Sequence, residues 1–220
     1  MRVSKEQAAQ NHRKIVTAAS RLFRERGINA TGVDAITEDA GLTHGAVYSQ
    51  FGSKEAIAAE AMREALAGSR RLWRRLLERN GRGKAFPAIV ARYLSRDHRD
   101  STGTGCVVAA LGSEIAKQPE GVRDAFTTEL AEGLEFLAEL MPRTGKADNY
   151  DDAIAAFAAM AGGLILARAV SDERLSKRIL EATAKRVIDA AGYEDPSVHP
   201  PRRSIPTKIS RRTKTSRSAK

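Results

Sequence analysis

Apolar residues recur at spacings of three and four along almost the whole chain, with few runs rich in β-branched residues. That period belongs to amphipathic helices rather than strands. It predicts a first helix from about Lys5 to Arg26, with Ile15, Ala18, Ala19, Leu22 and Phe23 on one face and Arg13, Lys14, Arg21 and Arg24 off it. Gly27 is expected to stop it in a left-handed conformation. Two short helices follow, about Val33 to Ala40 and His44 to Gln50, separated by Gly41, Leu42 and Thr43. Thr31 with Asp34 makes a weak capping box for the former, and Thr43 suits the N-cap of the latter. Ser53 is placed to cap a long fourth helix reaching Arg79, with Ala58, Met62, Leu66, Trp73, Leu76 and Leu77 as core, broken by Asn80 to Lys84. Further helices are expected at Ala85 to Arg96, Gly105 to Lys117, Pro119 to Leu140, Tyr150 to Val170 and Glu173 to Ala191. The stretches Asp97 to Thr104 and Met141 to Asn149 hold the Gly, Pro, Asp and Ser of connections. No strand and no internal repeat is expected, so the fold class is all-α.

Composition narrows the picture. With 220 residues the chain is long enough to bury a real core, and a single cysteine, Cys106, excludes a disulfide scaffold and points to a reducing compartment or to a redox role for one thiol. The first residues carry charge without an apolar stretch behind it, so no secretory signal is expected there, and the setting expected is cytoplasmic. The longest apolar run, Ala153 to Ala167, falls short of the roughly 20 residues a bilayer requires and reads as a buried helix. No membrane partner is expected. The formal charge of +10 suggests a polyanion. Its distribution matters more: Ser197 to Lys220 holds eight basic residues and no acidic ones, which leaves the body with 29 basic against 27 acidic residues. That stretch is rich in Pro, Ser and Thr and poor in large apolar side chains, the composition of a disordered basic tail.

The two short helices, joined by a Gly-containing three-residue turn and braced by a longer helix, have the form of a helix-turn-helix, whose second helix enters a major groove. Val33, Ile36 and Ala40 give the first an inward face, and Val47 and Phe51 do so for the second. His44, Gly45, Tyr48 and Ser49 are left facing outward, and Gly45 with Ala46 keeps that surface low enough for close approach to DNA. The domain organisation expected is residues 1–53 for this three-helix unit, 54–195 for a larger helical domain joined through the long helix, and 196–220 for the tail.

The residues Arg13-Lys-Ile-Val-Thr-Ala-Ala-Ser-Arg-Leu-Phe-Arg-Glu-Arg-Gly27, Thr31, Val33-Asp-Ala-Ile36, Ala40-Gly-Leu-Thr-His-Gly-Ala-Val-Tyr48, Phe51 and Ser53-Lys-Glu55 resemble the N-terminal domain of TetR/AcrR-type transcriptional regulators. About 45 residues match in order and spacing. The remainder has the length and helical character of that family's ligand-binding and dimerisation domain, and Gly105-Cys106 with the downstream Ala-Leu-Gly-Ser-Glu is similar to one branch of it. The resemblance implies that Thr31 and Thr43 set hydroxyls against backbone phosphates and that Tyr48 and Lys54 contact phosphate. Such contacts orient a protein on DNA without reading sequence. It also implies that His44, Gly45 and Tyr48 approach base edges, where sequence is chosen. Gln50 stands where many relatives have His, which leaves a polar but weaker phosphate contact. Each has a plainer reading: Tyr48 as core aromatic, Lys54 as a cation at a helix start, disfavoured by the positive N-terminal dipole, and His44 as a solvated side chain. The stripe Arg70, Arg71, Arg74, Arg75 and Arg79 is read as a solvated face.

A regulator of this kind holds two recognition helices about 34 Å apart on consecutive half-sites of double-stranded, palindromic operator DNA. Ile154, Phe157, Leu164, Ile179, Leu180 and Ile188, on two Ala- and Gly-rich helices, suit a two-fold four-helix interface between identical chains, with burial in the chain's own core as the alternative. A cavity for a small, partly hydrophobic effector would be sought among Trp73, Leu77, Phe86, Tyr93, Cys106, Phe126, Leu130 and Phe136, most of which serve equally as plain core. Repression is favoured over activation because occlusion of a promoter requires only occupancy. Cys106, beside Val107 and Val108, is expected to be a buried structural thiol. His12, His44, His98 and His199 are too scattered for a metal, and the Gly103–Val108 stretch lacks the third Gly and the preceding strand of a dinucleotide loop. No cofactor and no nucleophile with its base is expected. An effector-independent architectural DNA-binding protein and a small helical enzyme are the alternatives.

Overall fold

The computed structural model describes residues 4–142 and 148–193. The tail from residue 196 lies outside the described residues. The chain runs through α1 (Lys5–Arg26), α2 (Val33–Ala40), α3 (His44–Phe51), α4 (Lys54–Asn80), α5 (Arg82–Tyr93), α6 (Arg96–Asp100), a 3₁₀ turn (Thr102–Thr104), α7 (Val107–Ile115), α8 (Glu120–Leu140), α9 (Tyr150–Ala169) and α10 (Glu173–Ala190). No strand occurs among the described residues.

The helix starts follow from short polar side chains that accept an otherwise orphaned N–H. Ser4 accepts from the Gln7 amide at 3.1 Å, Thr43 from Ala46 at 3.3 Å, Ser53 from Ala56 at 3.1 Å and Asp172 from Leu175 at 2.8 Å. The expected capping box on α2 does not form: Gly32 is the N-cap and carries no side-chain bond. At the end of α2, Gly41 takes φ +64, ψ 40, and the Leu42 amide reaches back to the Thr37 carbonyl at 3.0 Å. This left-handed turn, which Gly adopts without strain, aims α3 away from α2. The helix expected to run to Arg96 ends at Tyr93, because Ser95 caps a new helix by accepting the His98 amide at 3.2 Å. The expected connection Asp97–Thr104 therefore contains most of α6 and the 3₁₀ turn.

Two apolar cores result. One gathers Ile15, Leu22, Phe23, Ile36, Val47, Ile57 and Met62, and reaches beyond the first three helices to Leu66 on α4, Val107, Leu111 and Ile115 on α7, and Val122 on α8. The other gathers Trp73, Phe86, Ile89, Tyr93, Leu137, Met160, Leu164 and Leu180. Because α4 serves both and α7 joins the first, no flexible linker separates the N-terminal helices from the rest.

The apolar stretch on α9 departs from expectation. The helix is 20 residues long with mean hydropathy 1.5, long and apolar enough by length and composition to cross a membrane. It is not wholly buried either. Its inner side packs Ala153, Phe157, Met160, Leu164 and Ala167 into the core, while Ile154, Ile165 and Leu166 are exposed. Against α10 the approach is close enough that a Cβ on Gly163 would stand 2.7 Å from Thr183 Oγ1.

Candidate nucleic-acid interface and cavity

At α3 the inward residue is Val47, fully buried, with Phe51 half-buried and stacked on His12 at 4.6 Å between ring centres. That anchoring turns Thr43, His44, Gly45, Tyr48 and Ser49 outward, all exposed, with Ala46 and Gln50 half-buried at the margin. Gly45 has no neighbour within 4 Å of the place a Cβ would take, so the start of α3 is a low, open surface. His44 Nδ1 lies 2.8 Å from Asp34 Oδ1 on α2, and the His44 ring packs on Tyr48 at 4.7 Å. Asp34, freed from the expected capping role, thus orients the first residue of α3. Lys54 Nζ donates to the Asn29 carbonyl at 3.4 Å.

Thr31 departs from its expected place. It is 1% exposed, and its hydroxyl donates to the Gly27 carbonyl at 2.7 Å, so it braces the turn after α1 instead of facing solvent. Thr43 alone of the two threonines stands at the open surface.

A second feature is a cavity of about 80 Å³ between α4, α5, α8 and the segment from His98 to Cys106. Of the residues among which an effector cavity is sought, Trp73, Tyr93, Cys106 and Leu130 line it. Leu77, Phe86, Phe126 and Phe136 do not: Phe86 stacks on Tyr193 at 5.7 Å, Phe126 packs against the N-terminal core, Leu77 packs in the second core, and Phe136 lies between Trp73 and the Arg74 guanidinium. His98, Leu134, Ile89 and Phe157, none of them expected at a cavity, also line it. Phe157 is legible as an apolar α9 residue, but nothing in a helix that is apolar on every side marks which way a residue points.

Polar groups around the cavity are almost all engaged. Arg70, expected on a solvated face, is 11% exposed and bound to Glu129 at 2.5 Å and Glu132 at 2.7 Å. His98 Nε2 accepts the Cys106 amide at 2.9 Å, which leaves Nδ1 protonated to donate to the Tyr93 carbonyl at 2.6 Å. Burial, aided by Arg168 and Arg92, holds this imidazole below its ordinary range, so it stays neutral. Burial also pushes the Tyr93 hydroxyl well above its ordinary value. Cys106 is buried, as anticipated.

Residues 15–61, from α1 into the start of α4, match the family model of the bacterial regulatory proteins, tetR family. The N-terminal helices thus carry the signature of that family's DNA-binding domain. Solved TetR-type structures share its fold. The reduced form of NemR from Escherichia coli aligns with a TM-score of 0.68 at 20% identity, over 81% of this chain and 95% of its own. A TetR-family regulator from Cytophaga hutchinsonii aligns with 0.70 at 17% identity, over 86% and 98%. SCO4454 from Streptomyces coelicolor aligns with 0.67 at 19% identity, over 83% and 97%. No curated protein sequence matches the chain.

Next to the cavity, the segment from His98 to Cys106 is tied to the N-terminal helices. Arg24 Nε on α1 donates to the Gly103 carbonyl at 2.7 Å. At the other end of α7 the Glu114 carboxylate accepts the Asn29 amide at 2.6 Å, and Gln118 reaches the Asn29 side chain at 3.2 Å. The outer face of α9 and α10 is a separate surface. Of the residues expected there, Ile154 is 42% exposed and Ile179 and Ile188 are half-buried, but Phe157, Leu164 and Leu180 are buried in the chain's own core. Ile165, Leu166 and Leu175 are exposed in their stead.

Proposed function

We propose that this chain is a TetR-type regulator that acts in the cytoplasm as a homodimeric repressor on a palindromic, double-stranded DNA operator, released when a small, partly hydrophobic effector occupies the cavity. In this reading residues 1–53 bind DNA and 54–195 bind effector and dimerise. The observation that carries it is the surface of α3: a helix pinned by buried Val47 that leaves Thr43, His44, Gly45, Tyr48 and Ser49 exposed on its outer side. A major groove about 12 Å wide admits such a helix. Thr43, Tyr48, Gln50 and Lys54 then meet phosphates, while His44, held by Asp34 and Tyr48, meets base edges. The buried Thr31 hydroxyl takes no part.

Dimerisation is supported by the exposed apolar residues Ile154, Ile165 and Leu166 on α9 and Leu175 on α10. Two copies meeting there would form a four-helix contact and fix the spacing of the two α3 helices. Response to effector is supported by α7, whose leading residue Cys106 lines the cavity and whose last turn holds Asn29. A coupling of about 1–3 kcal/mol through it would lower operator affinity roughly 5- to 150-fold.

The test is a footprint of the purified full chain over its own upstream DNA and neighbouring genes. A protected palindrome with half-sites about one helical turn apart is expected, and His44→Ala should relax choice at one base position per half-site. Uniform protection of all sequences would instead identify an architectural DNA-binding protein.

A further inference from the structure

Asp34 stands beside the outer face of α3 with 92% of its side chain exposed. A carboxylate there repels the phosphates that this helix is read to meet, and it does not cap α2, whose N-cap is Gly32. What it holds is the first residue of α3: His44 Nδ1 lies 2.8 Å from Asp34 Oδ1. An ionised carboxylate can only accept, so the proton between them sits on Nδ1. The Tyr48 ring, centred 4.7 Å away and tilted by 33°, packs against the same imidazole. One contact in the plane of the ring and one against its face thus fix both its tautomer and its position.

In a neutral imidazole the nitrogen without the proton carries a lone pair. With Nδ1 committed to Asp34, that nitrogen is Nε2, and no described residue bonds it. The hydroxyls nearby on α3 are turned to the backbone: Thr43 Oγ1 accepts the Ala46 amide at 3.3 Å, and Ser49 Oγ donates to the Ala46 carbonyl at 3.0 Å. On the major-groove edge adenine N6 and cytosine N4 are donors, whereas guanine N7 and O6 and thymine O4 are acceptors. A fixed acceptor therefore matches an amino base and meets guanine or thymine lone pair against lone pair.

We propose that Asp34 is a positioning residue for base choice: by holding the proton on His44 Nδ1 it makes Nε2 an acceptor, so that each half-site carries adenine or cytosine, not guanine or thymine, opposite His44. The inference rests on the reading of α3 as the helix that enters the major groove, and adds the class of base it selects and the residue that sets it.

The full-length parent, Asp34→Asn, His44→Ala and the double variant each select sites from a pool of randomised double-stranded DNA at about pH 8, where imidazoles are ordinarily neutral. Both side chains are exposed, so helical content by circular dichroism should not change. His44→Ala should flatten one position per half-site, and in the parent that position should hold adenine or cytosine. Placing guanine or thymine there in both half-sites should lower parent affinity about 5- to 150-fold, the worth of two neutral hydrogen bonds. Asp34→Asn, whose amide can accept or donate and so frees the ring to take either tautomer, should erase that preference and leave the other positions as they are. The double variant should match His44→Ala, because Asp34 acts through the ring.

Guanine or thymine at the position that His44→Ala flattens, a preference that survives Asp34→Asn, or a double variant whose choice differs from that of His44→Ala would overturn the proposal. Enriched sites in which no position responds to His44→Ala would overturn it and leave the operator reading standing. A pool in which no sequence is enriched would sink the operator reading and this inference with it.

Discussion

The Asn29 amide donates to the Glu114 carboxylate at 2.6 Å, joining the turn after α1 to the last turn of α7 across 85 positions of sequence. The same helix begins at the cavity, so α7 links Cys106 at its start to Asn29, whose carbonyl in turn accepts from the Lys54 amine.

Glu114→Ala should therefore weaken the response more than the fold. The Asn29 amide is exposed enough to bond water instead, so a loss of about 1 kcal/mol in stability is expected. Operator affinity without effector should hold, while the effector's power to release DNA should fall by about 0.5–2 kcal/mol, roughly 2- to 30-fold. Binding curves on operator DNA with and without effector measure it; an unchanged release ratio would remove α7 from the coupling.

Phosphate binding is read in salt. Lys54→Ala should lower affinity alike for all sequences and reduce the log-log salt slope by about 0.9 for each phosphate left without its cation, close to two for a dimer. Truncation after Asp195 asks the same of the basic tail: if about four of its charges engage, the slope becomes shallower by roughly 3 to 4 with operator choice unchanged. An unaltered slope would reduce the tail's charge to a solubility feature.

Acid should loosen the cavity wall. His98 resists protonation when folded, because burial and the nearby Arg168 and Arg92 disfavour its charged form. An unfolded His98 binds a proton below about pH 6.5. Its contribution to stability is thus complete above that value and is lost as pH falls through the lower folded value. Melting temperatures at pH 8 and pH 5.5 should differ more for the parent than for His98→Gln; equal differences would show that another group carries the acid sensitivity.

Leu166, 57% exposed on α9, tests the pairing of chains. Leu166→Arg places a charge at the centre of the proposed interface without touching the core, and sedimentation should show half the parent mass with the helical content intact. A variant that remains a dimer would move the interface off this face.

How far the chain can be read without its fold differs from element to element. The first four helices are legible almost to the residue, because Ile15, Leu22, Ile36, Val47 and Met62 repeat at the helical period and Thr43 and Ser53 each place a short hydroxyl just ahead of a helix. The open face of α3 is legible for the same reason. The break at Ser95 is not, since a serine inside an apolar-periodic stretch does not announce itself as a cap until its hydroxyl meets the His98 amide.

The helical class, the helix-turn-helix and its outward residues are written in the order of the amino acids, since all three depend on local period and on caps a few positions apart. Folding settled the rest: the inward turn of Thr31, the pairing of Asp34 with His44, the burial of Arg70, and which sides of α9 meet core, cavity and solvent. The difference is one of range. A helix apolar on every side carries no record of direction, and a polar side chain's partner tens of positions away exists only once the chain has folded and brought the two together.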